Sequence, residues 1–192
     1  VCSSDLKLFF CEKKQNNKTT KHLKTMNPTF QGTPVTLAGK LPAVGTVAPD
    51  FALVAGDLSE KHLKDFEGKI KVVSIVPSLD TPVCALSAQR FNKESEQLKD
   101  VVVLNVSADL PFAASRFCDS TKLAHITTLS TFRSCEFGKT WGVRIMDGPL
   151  AGLMTRAVVV LDRNNVVVYE ELVSEITREP NYAAVLDAVK KL

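Results

Sequence analysis

Of the five cysteines in this chain, at positions 2, 11, 84, 118 and 135, Cys84 stands where chemistry is easiest to arrange. It closes the segment Pro77-Ser78-Leu79-Asp80-Thr81-Pro82-Val83-Cys84, directly after the apolar run 71–76. That run reads as a buried strand, and Pro82 suits the first turn of a helix. Cys84 thus falls in a helical first turn beyond the carboxyl end of a strand, where open α/β sheets gather their sites. A helix N-terminus offers unpaired N–H groups and a partial positive charge. Both favour thiolate, and thiolate is the nucleophile. Thr81, three residues earlier, has a hydroxyl able to face the sulfur or to cap the helix. The residues alone also admit blander roles: Cys84 as a small buried hydrophobe, Thr81 as an ordinary cap, Pro77 as a strand terminator.

The elements that must position this segment are legible as an α/β pattern. Residues 29–31 and 35–37 flank Gly32-Thr33-Pro34 and predict a small hairpin, and residues 51–54 predict a short strand. Residues 57–65 read as a turn and a short polar segment. Runs 71–76, 101–106 and 157–161 are near-continuously apolar, as strands buried on both faces are. A helix over 82–98 between the first two makes a β-α-β unit, hence a parallel pair. Further expectations are a helix over 111–118, a strand over 126–129 and a helix over 135–141. A turn at 162–165 then returns strand 166–172 antiparallel. A last helix follows Pro180, with Tyr182, Val185, Leu186 and Val189 along one face. The order predicts a thioredoxin-like α/β fold: a central mixed β-sheet flanked by helices, with an N-terminal β-hairpin extension.

Composition narrows the function. The 192 residues suit one domain with a tail, and 45% apolar with 23% charged residues is a globular balance. The formal charge of +3 is unevenly placed. Residues 1–25 hold six lysines against Asp5 and Glu12, whereas the rest of the chain carries 18 bases and 19 acids. We read residues 1–25 as a non-native or disordered basic leader, Met26 as the native start, and 26–192 as the thioredoxin-fold domain. The charge therefore gives no nucleic-acid surface. No apolar run approaches the roughly 20 residues of a membrane span. His22, His62 and His125 are isolated, no Cys/His spacing suggests zinc, no Cys-x-x-Cys suggests a thioredoxin, and no phosphate loop is present.

The spacing Pro-x-x-x-Thr-x-x-Cys at Pro77, Thr81 and Cys84 resembles the peroxiredoxin active-site motif. The strings PSLDTPVC, SADLPFAASRFC, ITTLSTFR, DGPLAGL and RAVVVLD are similar to bacterial thiol peroxidase, the atypical two-cysteine branch. The likeness runs from Phe30 to the final helix. It implies a peroxidase in which the Cys84 thiolate attacks a peroxide and becomes a sulfenic acid. It implies Cys118 as the resolving cysteine, closing an intramolecular Cys84–Cys118 disulfide that thioredoxin reduces. It also implies Thr81 and Arg156 in the catalytic site and Pro77 on the substrate side, with Arg133 either lining the pocket or holding the dimer interface. Arg156 directly precedes a buried strand, where an unpaired charge is costly and a thiolate is a suitable partner. The resemblance further implies a homodimer acting on hydrogen peroxide and organic hydroperoxides without metal or cofactor, and a mechanism that needs a reducing supply, with no evident signal peptide, predicts a cytoplasmic location. Periplasmic export stays open. A peroxide sensor relaying oxidation to a protein partner is the alternative that the same residues allow. Cys135 departs from the family pattern and reads as a spare thiol.

Overall fold

A computed structural model describes residues 27–192 apart from Gln97 and Lys99. The leader reading, with Cys2, Cys11 and Met26, lies outside the described residues. The chain opens with a hairpin, β1 (Thr29–Phe30) and β2 (Thr33–Pro34), and continues through β3 (Leu53–Ala55) and β4 (Glu60–Lys61). After a 3-10 turn at Leu63–Phe66 come β5 (Ile70–Ile75), α1 (Pro82–Ser95), β6 (Val101–Ser107), α2 (Pro111–Thr121) and β7 (Ile126–Ser130). The last elements are α3 (Cys135–Thr140), β8 (Ala157–Leu161), β9 (Val167–Leu172) and α4 (Tyr182–Val189).

The main sheet runs β4-β3-β7-β6-β5-β8-β9. β5–β6 and β6–β7 pair parallel, and the outer pairs are antiparallel. This is the mixed sheet the sequence predicts. Side chains alternate between two layers along each central strand. Val73 and Ile75 of β5 meet Phe51, Phe66, Phe137 and Trp141 on one face. Ile70 and Val72 meet Phe91 of α1 and Tyr182, Val185 and Val189 of α4 on the other. Each such side chain contributes about 1.5–3 kcal/mol by burial.

The boundaries depart from the sequence reading in explicable ways. The hairpin turns at Gln31 (φ 51°) and Gly32 (φ 79°), not at Gly32-Thr33-Pro34. Two consecutive positive φ angles are what a two-residue hairpin loop requires. Its second arm is therefore Thr33–Pro34, not 35–37. α1 stops at Ser95, short of 98, and Leu98 packs against the cluster formed by α1, α4 and the sheet. Residues 57–65 hold a strand and a 3-10 turn that a polar stretch did not announce. α2 runs a turn further than 111–118 and ends where Lys122 adopts φ 55°. No helix among the described residues is long and apolar enough to cross a membrane.

Gly142 closes the segment beyond α3 at φ +68°. A Cβ there would stand 2.3 Å from the Lys40 backbone nitrogen and oxygen. Both the backbone conformation and the contact exclude a side chain. Gly142→Ala is expected to cost about 3 kcal/mol, read as a lowered urea midpoint with an unchanged slope.

Candidate active site

The site is built at the carboxyl end of β5. β5 gives way to a loop, and Thr81 caps α1 in extended conformation with Pro82 in the first turn. The Thr81 hydroxyl donates to the Ser78 carbonyl at 3.2 Å and accepts the Cys84 N–H at 3.4 Å. Of the two roles open to it, Thr81 thus takes that of helix cap. This ties the backbone of Cys84 to the loop before it and satisfies one orphan donor of the helix.

Cys84 is fully buried, packed with Val76, Leu79 and Ala114, and flanked by Phe117 of α2. Arg156, at the mouth of β8, is 3% exposed. One of its terminal nitrogens, Nη2, donates to Cys84 Sγ at 3.2 Å. Its Nε donates to the Ile176 carbonyl at 2.8 Å, and Nη1 has no hydrogen-bond partner among the described residues. A buried guanidinium is tolerated only beside something that compensates its charge. Here that neighbour is the sulfur.

Cys118 lies in the last turn of α2, inside the helix rather than at its end, half-buried and 34 positions after Cys84. Its carbonyl accepts both the Lys122 N–H and the Leu123 N–H, the latter at 3.1 Å. Its sulfur sits 3.9 Å from the Thr128 hydroxyl. Burial pushes the Cys118 thiol up; the Thr128 hydroxyl opposes this and Asp119 adds to it. Cys84, Cys118 and Cys135 are all free thiols, and Cys135 is exposed.

The Redoxin family model matches residues 43–186. The thiol peroxidase of Leptospira interrogans is 48% identical over 162 residues, covering 83% of this chain and 95% of that one. The thiol peroxidase of Oceanobacillus iheyensis is 46% identical over 165 residues, covering 86% and 99%. A solved peroxiredoxin-like protein from Aquifex aeolicus superposes with a TM-score of 0.82 at 41% identity, over 87% of this chain and 97% of that one. The chain belongs to the thiol peroxidase family. Its fold is the thioredoxin-like one expected, and as a thiol peroxidase it is a peroxide-reducing enzyme.

Of the residues the sequence singles out, this thiol peroxidase brings Thr81 and Arg156 to Cys84, Thr81 at its backbone N–H and Arg156 at its sulfur. Pro77 is buried at the strand exit. Arg133 is exposed, with its guanidinium 5.4 Å from the Phe132 ring centre, and no hydrogen bond or ion pair ties it to Cys84. No group of three or more His, Cys, Asp or Glu gathers as a metal site among the described residues.

One residue the sequence reading passed over organises the loop. The Asp109 carboxylate accepts from Ser78 Oγ at 2.8 Å, from the Leu79 N–H at 2.7 Å and from Ser107 Oγ at 2.9 Å. Its own carbonyl accepts the Ser130 hydroxyl. Asp109 thus links the ends of β6 and β7 to the loop that delivers Cys84. The available signal was a short Ser-x-Asp at a strand end, a common side-chain-to-backbone turn. Asp109→Ala leaves three donors unsatisfied. It is expected to lower stability by about 2 kcal/mol and to slow oxidation of Cys84 about tenfold, read by thermal melting and by rapid-mixing kinetics with hydrogen peroxide.

Proposed function

We propose that Cys84 is the peroxidatic thiolate, with Arg156 and the helix N-terminus stabilising both it and the leaving oxygen. The observation that carries this reading is the 3.2 Å contact between Arg156 Nη2 and a fully buried Cys84 sulfur. The thiolate attacks one oxygen of a hydrogen peroxide or organic hydroperoxide. The O–O bond breaks, an S–O bond forms, and the distal oxygen leaves, taking up the proton released when the Cys84 thiol ionised, as water or alcohol. Cys84 is oxidised to sulfenic acid. Negative charge grows on the departing oxygen, and donors aimed there are worth most in a site closed to water. The unpartnered Nη1 of Arg156 is one such donor.

Cys118 then attacks the sulfenic sulfur. An S–S bond forms and hydroxide leaves, taking up the proton of the Cys118 thiol to depart as water. A disulfide needs Cα atoms roughly 4.4–6.8 Å apart. Cys84 sits in a capped first turn and Cys118 in a doubly bonded last turn. We expect the disulfide to form with local unwinding of both turns. Thioredoxin returns both thiols by exchange. A second copy of the chain is the other partner. Leu110, Phe112 and Phe132 are exposed apolar side chains beside the linked ends of β6 and β7, as expected of a covered surface. The cytoplasm, which keeps thioredoxin reduced, suits this cycle.

Cys84→Ser is expected to abolish peroxide consumption in a thioredoxin-coupled assay. Cys118→Ala should still give one sulfenic acid per chain, seen by mass after diketone trapping, while thioredoxin-coupled turnover is lost; normal turnover would exclude Cys118 as the resolver. Because the Cys118 pKa is raised, its thiolate fraction increases with pH through and above the ordinary thiol range. In the wild type, the sulfenic acid lifetime should accordingly shorten as pH rises across that range. A lifetime independent of pH there would show that unwinding, not Cys118 ionisation, limits resolution.

A further inference from the structure

Arg156 is held from behind by a segment far from Cys84. Its Nε donates to the Ile176 carbonyl. The same peptide unit presents the Thr177 N–H on its other side, and that N–H donates to Glu175 Oε1 at 3.1 Å. Glu175 Oε1 also accepts the Thr177 hydroxyl at 2.9 Å and the Gln31 N–H at 3.1 Å. Glu175 Oε2 accepts the Thr29 hydroxyl at 2.7 Å and the Gly32 N–H at 3.0 Å. The backbones join alongside: Thr29 N–H to the Ser174 carbonyl and Ile176 N–H to the Thr29 carbonyl, both 2.8 Å. The Ile176 side chain is buried with Val35 and Ile145 and covered by Phe30 and Leu37.

We propose that Glu175, clasping the turn of the β1–β2 hairpin, is a positioning residue that sets the orientation of Arg156 toward the Cys84 sulfur through the Ile176–Thr177 peptide. This rests on the reading of Cys84 and Arg156 given above. The peptide has a carboxylate on its N–H and a guanidinium on its carbonyl, so each polarises it in the sense the other needs. Among the described residues the guanidinium is anchored at the Ile176 carbonyl and the sulfur, with Nη1 unpartnered. Freed at Ile176, it can rotate about its long side chain and lose the sulfur. The hydrogen bond from Gly32, opposed by partial burial and aided by Thr29 and Thr177, draws the Glu175 carboxyl down to about 2. The clasp is therefore charged throughout the working range of a thiol enzyme.

The test is a double-mutant cycle on the intact chain, with sulfenic acid formation followed by rapid mixing and the Cys84 titration by thiolate absorbance. Glu175→Ala is expected to slow attack on hydrogen peroxide about tenfold, a part of the roughly hundredfold that a 1 Å misplacement can cost, and to shift the Cys84 titration upward. Glu175→Gln keeps the shape and one accepting oxygen and should fall between the two; it carries the test should the alanine variant melt below the assay temperature. In an Arg156→Lys background, the same changes should do almost nothing further, because the group they position is gone. An equal fold-loss in both backgrounds, or an unmoved Cys84 titration in the first, would overturn the positioning role and leave the site intact. An Arg156→Lys variant with wild-type kinetics would instead remove the site reading, and this inference with it.

Discussion

A guanidinium and a sulfur share a space that water does not enter, and most of the molecule exists to make that tolerable. Arg156 and Cys84 are separated by 72 positions and both lie almost wholly out of solvent. Two buried ionisable groups stabilise one another only if their geometry is held, since relaxation of a few tenths of an ångström weakens the attraction while desolvation persists. The chain meets this by fixing each partner separately. Cys84 is fixed through its own N–H at a helix cap, and Arg156 through its Nε at a backbone carbonyl.

Those two fixings draw on opposite halves of the architecture. The sulfur is delivered by the parallel β5-α1-β6 unit and steadied by Asp109 at the ends of β6 and β7. Behind α1, Tyr182 donates to Ser87 at 2.8 Å and packs edge-on against Phe91, pinning the helix to α4. The arginine is delivered by the antiparallel β8–β9 pair and steadied by the loop that follows it. Where the mixed sheet changes from parallel to antiparallel, at the β5–β8 pairing, the two meet.

What the sequence made legible follows the range of the forces involved. Cys84, Thr81 and Pro82 interact within four residues of one another, so their spacing already encodes the capped turn. The buried strands announce themselves by apolar runs, and Arg156 by standing at the end of one. Asp109 and Glu175 could not be read in this way. Their partners lie about 30 and about 145 positions away, and each is one acid among many in the sequence. Lys71 is the converse. It sits fully buried in β5, its amine reaching the Asp162 and Arg163 carbonyls at 3.5 Å, though a lysine in a strand normally marks the solvent side. The hairpin was placed correctly but mis-turned, because proline and glycine drew the turn to 32–34 whereas consecutive positive φ angles put it at Gln31-Gly32.

The β1–β2 hairpin also bears on how the protein is made. Thr29 is among the first described residues, and its partners Ser174, Glu175 and Ile176 are among the last. A chain emerging from the ribosome presents Cys84 long before Arg156, and Arg156 before the carbonyl that orients it. Domains fold as their segments become available, N-terminal parts first. The early contacts of the β5-α1-β6 unit can form during synthesis, but the clasp waits for nearly the whole polypeptide. On this ordering a chain that has reached Cys84 but not Ile176 holds the thiol without the arginine contact or the carbonyl that orients it.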